Sequence, residues 1–497
     1  MRRLAAHSCL ITLTILAGAG ALVPGAAQAA KLARPARPAH VAGAKWTKIS
    51  ADTGLGIASA GLFRTSDGKL HVAWAEKDSG SYSLHYSTVG AKAALLATGT
   101  IVQKWSGISA YPRLVAGPSG GIRLVFTGGN GVTGSPYNLS AMYSATSASA
   151  GAKWTLTPGS MSQSESVPLT DTSATTQSDG TPVASWPGGS GVAYHVGLDP
   201  NTPAAKPDQS VPVTEGAGFV IGTTLVRGSD GSVWVAWFTE SGASDQGYWV
   251  AKVLPSQAAK VKAPGSGGAS LSNNQPFQAV AFAPRAGGGE YLAYCVPSTT
   301  IECAHIALWR AGAATAAMVP GSASQHATHV AIAAAPGGHL WVLWYDTSQN
   351  KIHVVRTNAA ATTFGAVQTL AAPPSTAELD GLQAEGSQGP LDVMALVLQN
   401  TSGSTPSYWD TQILPQLTLT GSPSTVSHKQ ATTVTFTATD VGDPVAGATV
   451  SLLGKTATTN SKGIAQITVP KGTATGKHTA TVTKTDYTSA TFTVTVS

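Results

Sequence analysis

At 497 residues the chain is too long for one ordinary domain, and 42% hydrophobic with 11% charged residues suits a folded body whose surface is polar but mostly uncharged. Charge-driven disorder and a long charged coiled coil are both excluded. The net charge of +6 is diffuse: beyond residue 43, arginine occurs only at scattered positions from Arg64 to Arg356, so no phosphate-neutralising face and no nucleic-acid partner are expected.

The first 29 residues read as an export signal. Arg2 and Arg3 form a positive start, Leu10 to Val23 is an interrupted apolar stretch, and Ala27-Gln28-Ala29 fits a small-x-small cleavage pattern. Residues 30–43, rich in Ala, Pro, Lys and Arg, read as a flexible leader. No second stretch approaches the length of a membrane span, so the mature chain is expected to be secreted, extracellular and monomeric.

From residue 44 a strand–turn–strand unit recurs roughly every fifty residues, the signature of a repeat architecture. Residues 58–74 (ASAGLFRTSDGKLHVAW), 222–237 (GTTLVRGSDGSVWVAW) and 329–344 (HVAIAAAPGGHLWVLW) are its clearest copies, with fainter ones at 112–126, 175–186, 278–294 and 382–396. Each second strand ends on Trp74, Phe126, Trp186, Trp237, Tyr294, Trp344 or Leu396. The residue three earlier is also apolar or bulky in most copies, which places large groups on both faces of the strand. A third strand follows in six copies, for example at Ser83-Leu84-His85-Tyr86 and Ile352 to Arg356. A sheet that is apolar on both faces must be covered on both, and packing blade against blade in a ring does so. The expected fold is all-β: a seven-bladed β-propeller over residues 44–414, followed by a second module. Lys45-Trp46-Thr47-Lys48-Ile49 is similar to Lys153-Trp154-Thr155-Leu156, and so predicts that residues 44–50 give the outer strand of the last blade, beside Tyr408-Trp409-Asp410-Thr411-Gln412.

Cys295 and Cys303 are the cysteines left after processing. They flank a turn between two strand-like segments, and in an oxidising compartment that spacing predicts a disulfide across a hairpin. After Pro415 the composition turns to Thr, Val and Ala in short alternating strands, an Ig-like β-sandwich over 415–497.

The loops between second and third strands carry Glu76, Asp78, Glu240, Asp245 and Asp346, candidates for paired-carboxylate glycoside hydrolysis. Arg64, Arg113 and Arg227 lie near the ends of first strands. Calcium could be held by rim carboxylates and carbonyls, but there is no EF-hand loop; no cofactor or metal is expected. The turns Ser66-Asp67-Gly68, Ser178-Asp179-Gly180 and Ser229-Asp230-Gly231 have the residues that tight turns require.

These turns resemble the Asp-box, Ser-x-Asp-x-Gly-x-x-Trp, of the sialidase-like β-propeller superfamily, and Phe63-Arg64-Thr65-Ser66 partly resembles that superfamily's Phe-Arg-Ile-Pro segment. The turns depart from the box in spacing and fall one strand earlier. The resemblance implies a cluster of arginines clamping a ligand carboxylate, for which Arg64, Arg113 and Arg227 are the candidates. Pro444-Val445-Ala446-Gly447-Ala448-Thr449-Val450 and Thr458-Thr459-Asn460-Ser461-Lys462-Gly463 resemble bacterial Ig-like domains, which implies a spacer or adhesion module. The expected function is non-enzymatic binding of a glycan or an extracellular protein at a propeller rim. A sialidase-like or other glycoside hydrolase, and a structural surface protein, are the alternatives.

Overall fold

A computed structural model describes residues 39–40, 45–51, 59–78, 80–109, 111–129, 141–149, 151–157, 162–163, 171–188, 191–197, 209–212, 219–240, 245–267, 280–297, 303–323, 326–399 and 406–497. The export signal expected over 1–29 lies outside them, as does the leader except for Ala39–His40. Those two residues do not hang free: they pair in parallel with Gln368–Ala371. An outer strand has one row of unpaired backbone groups, and this short segment satisfies part of it.

The chain is all-β, and sets of four antiparallel strands recur along it as propeller-like blades. In the set Gly61–Arg64, Leu70–Asp78, Ser81–Gly90 and Ala94–Trp105, each strand pairs with the next in sequence. The same order holds for Phe219–Arg227, Val233–Glu240, Gly247–Leu254 and Val261–Lys262. First strands lie side by side. Gly61–Arg64 neighbours Arg113–Ala116, and the series runs on through Ser173–Thr176, Phe219–Arg227, Phe282–Pro284, Ala327–Ala334 and Glu378–Glu385. Glu378–Glu385 in turn neighbours Gly61–Arg64. The last set takes its fourth strand from the start of the chain, with Thr47 opposite Asp410 and Lys48 opposite Trp409. Ile49 continues the connection by donating its N–H to the Tyr408 carbonyl at 2.8 Å.

Apolar clusters form between neighbouring sets. One joins Trp74 and Leu70 to Leu396 and Tyr408, and another joins Trp344 and Val342 to Ile306 and Leu308. Trp237 and Trp344 are fully buried, as expected of a strand apolar on both faces. Cys295 and Cys303 are joined in a disulfide, with Cα atoms 5.2 Å apart. The intervening residues 298–302 lie outside the described residues.

Residues 418–496 form two further sheets around one core that includes Phe436, Val450, Ala480 and Val494. Among the described residues, no helix is long and apolar enough to cross a membrane.

Candidate functional site

The register of the sheets defines one level at the start of the first strands. Gly61, Arg113, Ser173, Thr224, Ala331 and Leu382 each pair with the residue just before the aromatic or apolar end of their second strand. Two residues earlier in each chain segment stand Ser59, Tyr111, Asp171, Gly222, His329 and Asp380. The ladder is irregular here, with bulges between Ile221 and Thr224, Thr328 and Ala331, and Leu379 and Gly381. A bulge re-aims a side chain out of the pleat. At two of these bulges Gly222 and His329 have φ of 64° and 49°, and Asp171, just before its strand, has φ of 48°. Glycine takes this left-handed region freely, but Asp and His do so at a cost that neighbouring contacts must offset.

Several of those contacts link one first strand to the next. Thr223 Oγ1 donates to the Asp171 carbonyl at 2.7 Å, and Leu225 N–H donates to Ser173 Oγ at 2.9 Å. Gln383 Nε2 donates to Ser59 Oγ at 2.7 Å, while its Oε1 accepts from Ala60 N–H at 2.7 Å. Arg113 Nη1 donates to Ser59 Oγ at 3.0 Å. Arg113 Nη2 is buried with no hydrogen-bond partner.

Burial raises the Asp171 carboxyl to about 6, against the opposing pull of the Gly222 N–H, Arg113 and the Tyr111 hydroxyl. Burial, helped by the charge of Glu378, likewise lifts Asp380 to about 6. The Arg113 guanidinium is lowered to about 10 by burial, while Tyr111, Asp171 and Tyr408 favour its charged form. Tyr408 is pushed up by burial and by Asp380, with Arg113 acting against them. His329 falls to about 4 through burial and stays neutral at ordinary pH. Asp171 thus sits with Arg113 and Tyr111, and Asp380 with Tyr408, and carboxyls poised near neutrality can exchange protons with a bound molecule.

Sequence reasoning did not single out Asp171, Asp380, Tyr111 or Tyr408. The carboxylates chosen from the sequence lie at the same end of the sheets, on second strands and the loops that follow them. Glu76 lies 3.1 Å from His85 Nε2, and Asp245 lies 3.3 Å from Lys260 Nζ. Asp346 accepts hydrogen bonds from Ser348 and Gln349. Glu240 ends its strand partly exposed, and the Asp78 side chain is outside the described part of the chain.

The three arginines part company. Arg64 and Arg227 are the last residues of their first strands, whereas Arg113 is the first residue of Arg113–Ala116. Arg113 therefore joins the level of Asp171. Arg64 is bound to Glu385 at 2.6 Å and to Asp392, on the other side of the sheets.

The Asp-Gly turns behave as their residues dictate. Asp179 Oδ1 accepts the Thr181 N–H at 2.8 Å, and Gly180 has φ of 84°. Turns of this kind border an open cavity of about 600 Å³ lined by Ser178, Arg227–Gly231, Pro284–Ala286, Ala334–Pro336 and Ser387.

No protein-family profile matches the chain, and no curated protein matches it. Solved structures similar to it include a protein of unknown function from Dyadobacter fermentans, 12% identical at a TM-score of 0.44, covering 74% of this chain and 97% of that one. The polysaccharide lyase Uly1 is 11% identical at 0.45, covering 76% and 93%. An α-L-arabinanase of Penicillium chrysogenum, solved with arabinobiose, is 11% identical at 0.40, covering 74% and 97%.

Proposed function

We propose that the protein is a secreted glycoside hydrolase: a seven-bladed β-propeller over 44–414 with an Ig-like module over 415–497, exported by residues 1–29. The reaction is assigned to the level of Asp171 and Asp380. The observation that carries this reading is the pair of carboxyls raised to about 6 at one register level, Asp171 beside Arg113 and Asp380 beside Tyr408. Glycoside hydrolysis needs one carboxyl that keeps its proton and one that gives its proton up. Asp380, next to the charge of Glu378, is the proton donor to the leaving oxygen. Asp171 has an anion favoured by the Gly222 N–H, Arg113 and Tyr111, and acts as the base or nucleophile. Arg113, buried beside Asp171, favours that carboxylate's charged form.

The test is a glycan panel scored for both retention and release of reducing ends. The reading expects release by the wild-type chain, and a fall of about a hundredfold or more in Asp171→Asn and Asp380→Asn, as for removal of a general acid or base. Retention of a glycan with no release would favour the non-enzymatic binding protein instead. Unchanged release in both variants would move the chemistry away from this level.

A further inference from the structure

The repeat contains an internal comparison on the side of the sheets away from Asp171. Arg64 and Arg227 hold the same register position, each closing its first strand and pairing with the first residue of its second, Leu70 and Val233. Arg64 reaches into the neighbouring set and meets two carboxylates, Glu385 at 2.6 Å and Asp392. The residues matching Glu385 and Asp392 in the set beside Arg227 are Thr176 and Pro182, which pair with each other as Glu385 and Asp392 do. Neither carries charge. Arg227 is left exposed, its Nη1 donating to the Gln177 carbonyl at 2.8 Å, and among the described residues it has no carboxylate partner.

Arg227 lines the cavity of about 600 Å³ among the turns. Arg285, from the next set, lines the same wall. It donates to the carbonyls of Ala359, Ala286 and Gly287, while its Nε is buried without a partner. Asp230, also on the wall, turns Oδ1 to the N–H and hydroxyl of Ser232 at 2.9 and 2.6 Å. A space of this volume is of the size that holds a small polar ligand. Guanidinium groups bind carboxylates with two parallel hydrogen bonds.

We infer that the turn-side cavity is a second binding site, in which Arg227 and Arg285 take the carboxylate of a small ligand such as a sugar acid, filling the role that Glu385 and Asp392 fill for Arg64. This site is separate from the level of Asp171 and does not depend on its chemistry.

Calorimetric titration of the full chain with sodium glucuronate, and with glucose as the uncharged control, tests it. Glucuronate is expected to bind and glucose not. Arg227→Gln, an exposed change, should weaken glucuronate binding about tenfold or more, in line with loss of one charge-assisted contact. Thr176→Glu rebuilds the missing partner and should abolish binding by occupying Arg227 from within. Asp171→Asn should leave binding intact. Equal binding of glucose, undiminished binding by Arg227→Gln, or loss of binding in Asp171→Asn would each overturn the inference. The first two place no carboxylate on Arg227, and the last puts glucuronate at the other end of the strands.

Discussion

Arg356 Nε donates to Asp440 Oδ2 at 3.0 Å, both side chains buried, and this bond ties the set Ala327–Ala371 to the sheets of residues 418–496. His339 Nε2 lies 3.2 Å from Asp443 Oδ2, and the Ala359 N–H donates to the same carboxylate at 2.6 Å. Taking one charge from a buried pair leaves the other without compensation, at a cost of about 3–5 kcal/mol. Arg356→Met should therefore lower stability strongly, and scanning calorimetry should resolve a second transition as the tail sheets melt apart from the rest. Arg356→Met combined with Asp440→Leu should recover most of the loss, since no charge then remains buried.

Arg64 makes the corresponding closure between the first and last sets of strands. Its partners Glu385 and Asp392 belong to the set completed by Thr47–Lys48, and Gln412 Nε2 donates to Asp392 Oδ1 at 3.1 Å. Arg64→Met is expected to destabilise by about 3 kcal/mol or more through the same uncompensated burial. Denaturant melts followed by tryptophan fluorescence would register it as a lower midpoint.

The position of Asp171 carries a stability cost that follows from its titration. In the folded chain it titrates at about 6, against 3.8 for a free carboxyl. Between those values the folded form holds more protons than the unfolded one, so this group makes stability fall as pH rises from about 4 to about 6, and the loss persists above. Asp171→Asn should raise stability near pH 8 by about 1–2 kcal/mol, give no gain near pH 3.5, and remove turnover. A higher melting temperature together with lost activity is the expected pattern for a group held ready for chemistry.

The disulfide between Cys295 and Cys303 closes a short loop beneath a core containing Val342 and Trp344. Cys295→Ala with Cys303→Ala should cost about 2–3 kcal/mol by the chain-entropy account, with further loss because both sulfurs are fully buried. Chemical denaturation of the two forms would measure it.

The sets of strands could be read from the chain because the second strand is apolar on both faces and ends on a large residue. Trp74, Trp237 and Trp344 marked it in three copies. The pairing of Thr47–Lys48 with Ser407–Ile413 was likewise readable, since Trp46-Thr47 is similar to Trp154-Thr155. The level of Asp171 was not. Its six positions hold Ser, Tyr, Asp, Gly, His and Asp, so residue type gives no repeat, and the bulges break the period-two alternation just where these residues fall. The acids of the longer loops drew the eye instead: Glu76 meets His85, Asp245 meets Lys260 and Asp346 meets Ser348 and Gln349. The signal that could have found Asp171 and Asp380 is a count across the strand pair from Trp186 and Leu396, which needs the turn geometry before it can be made.

Carbon-13 NMR of the aspartate carboxyls, assigned by comparing the wild-type chain with Asp171→Asn and Asp380→Asn, tests the acid–base site most directly because it needs no substrate. Midpoints near 6 for both residues are predicted. Midpoints near 4, the ordinary range for an exposed aspartate, would contradict the assignment of the chemistry to this level.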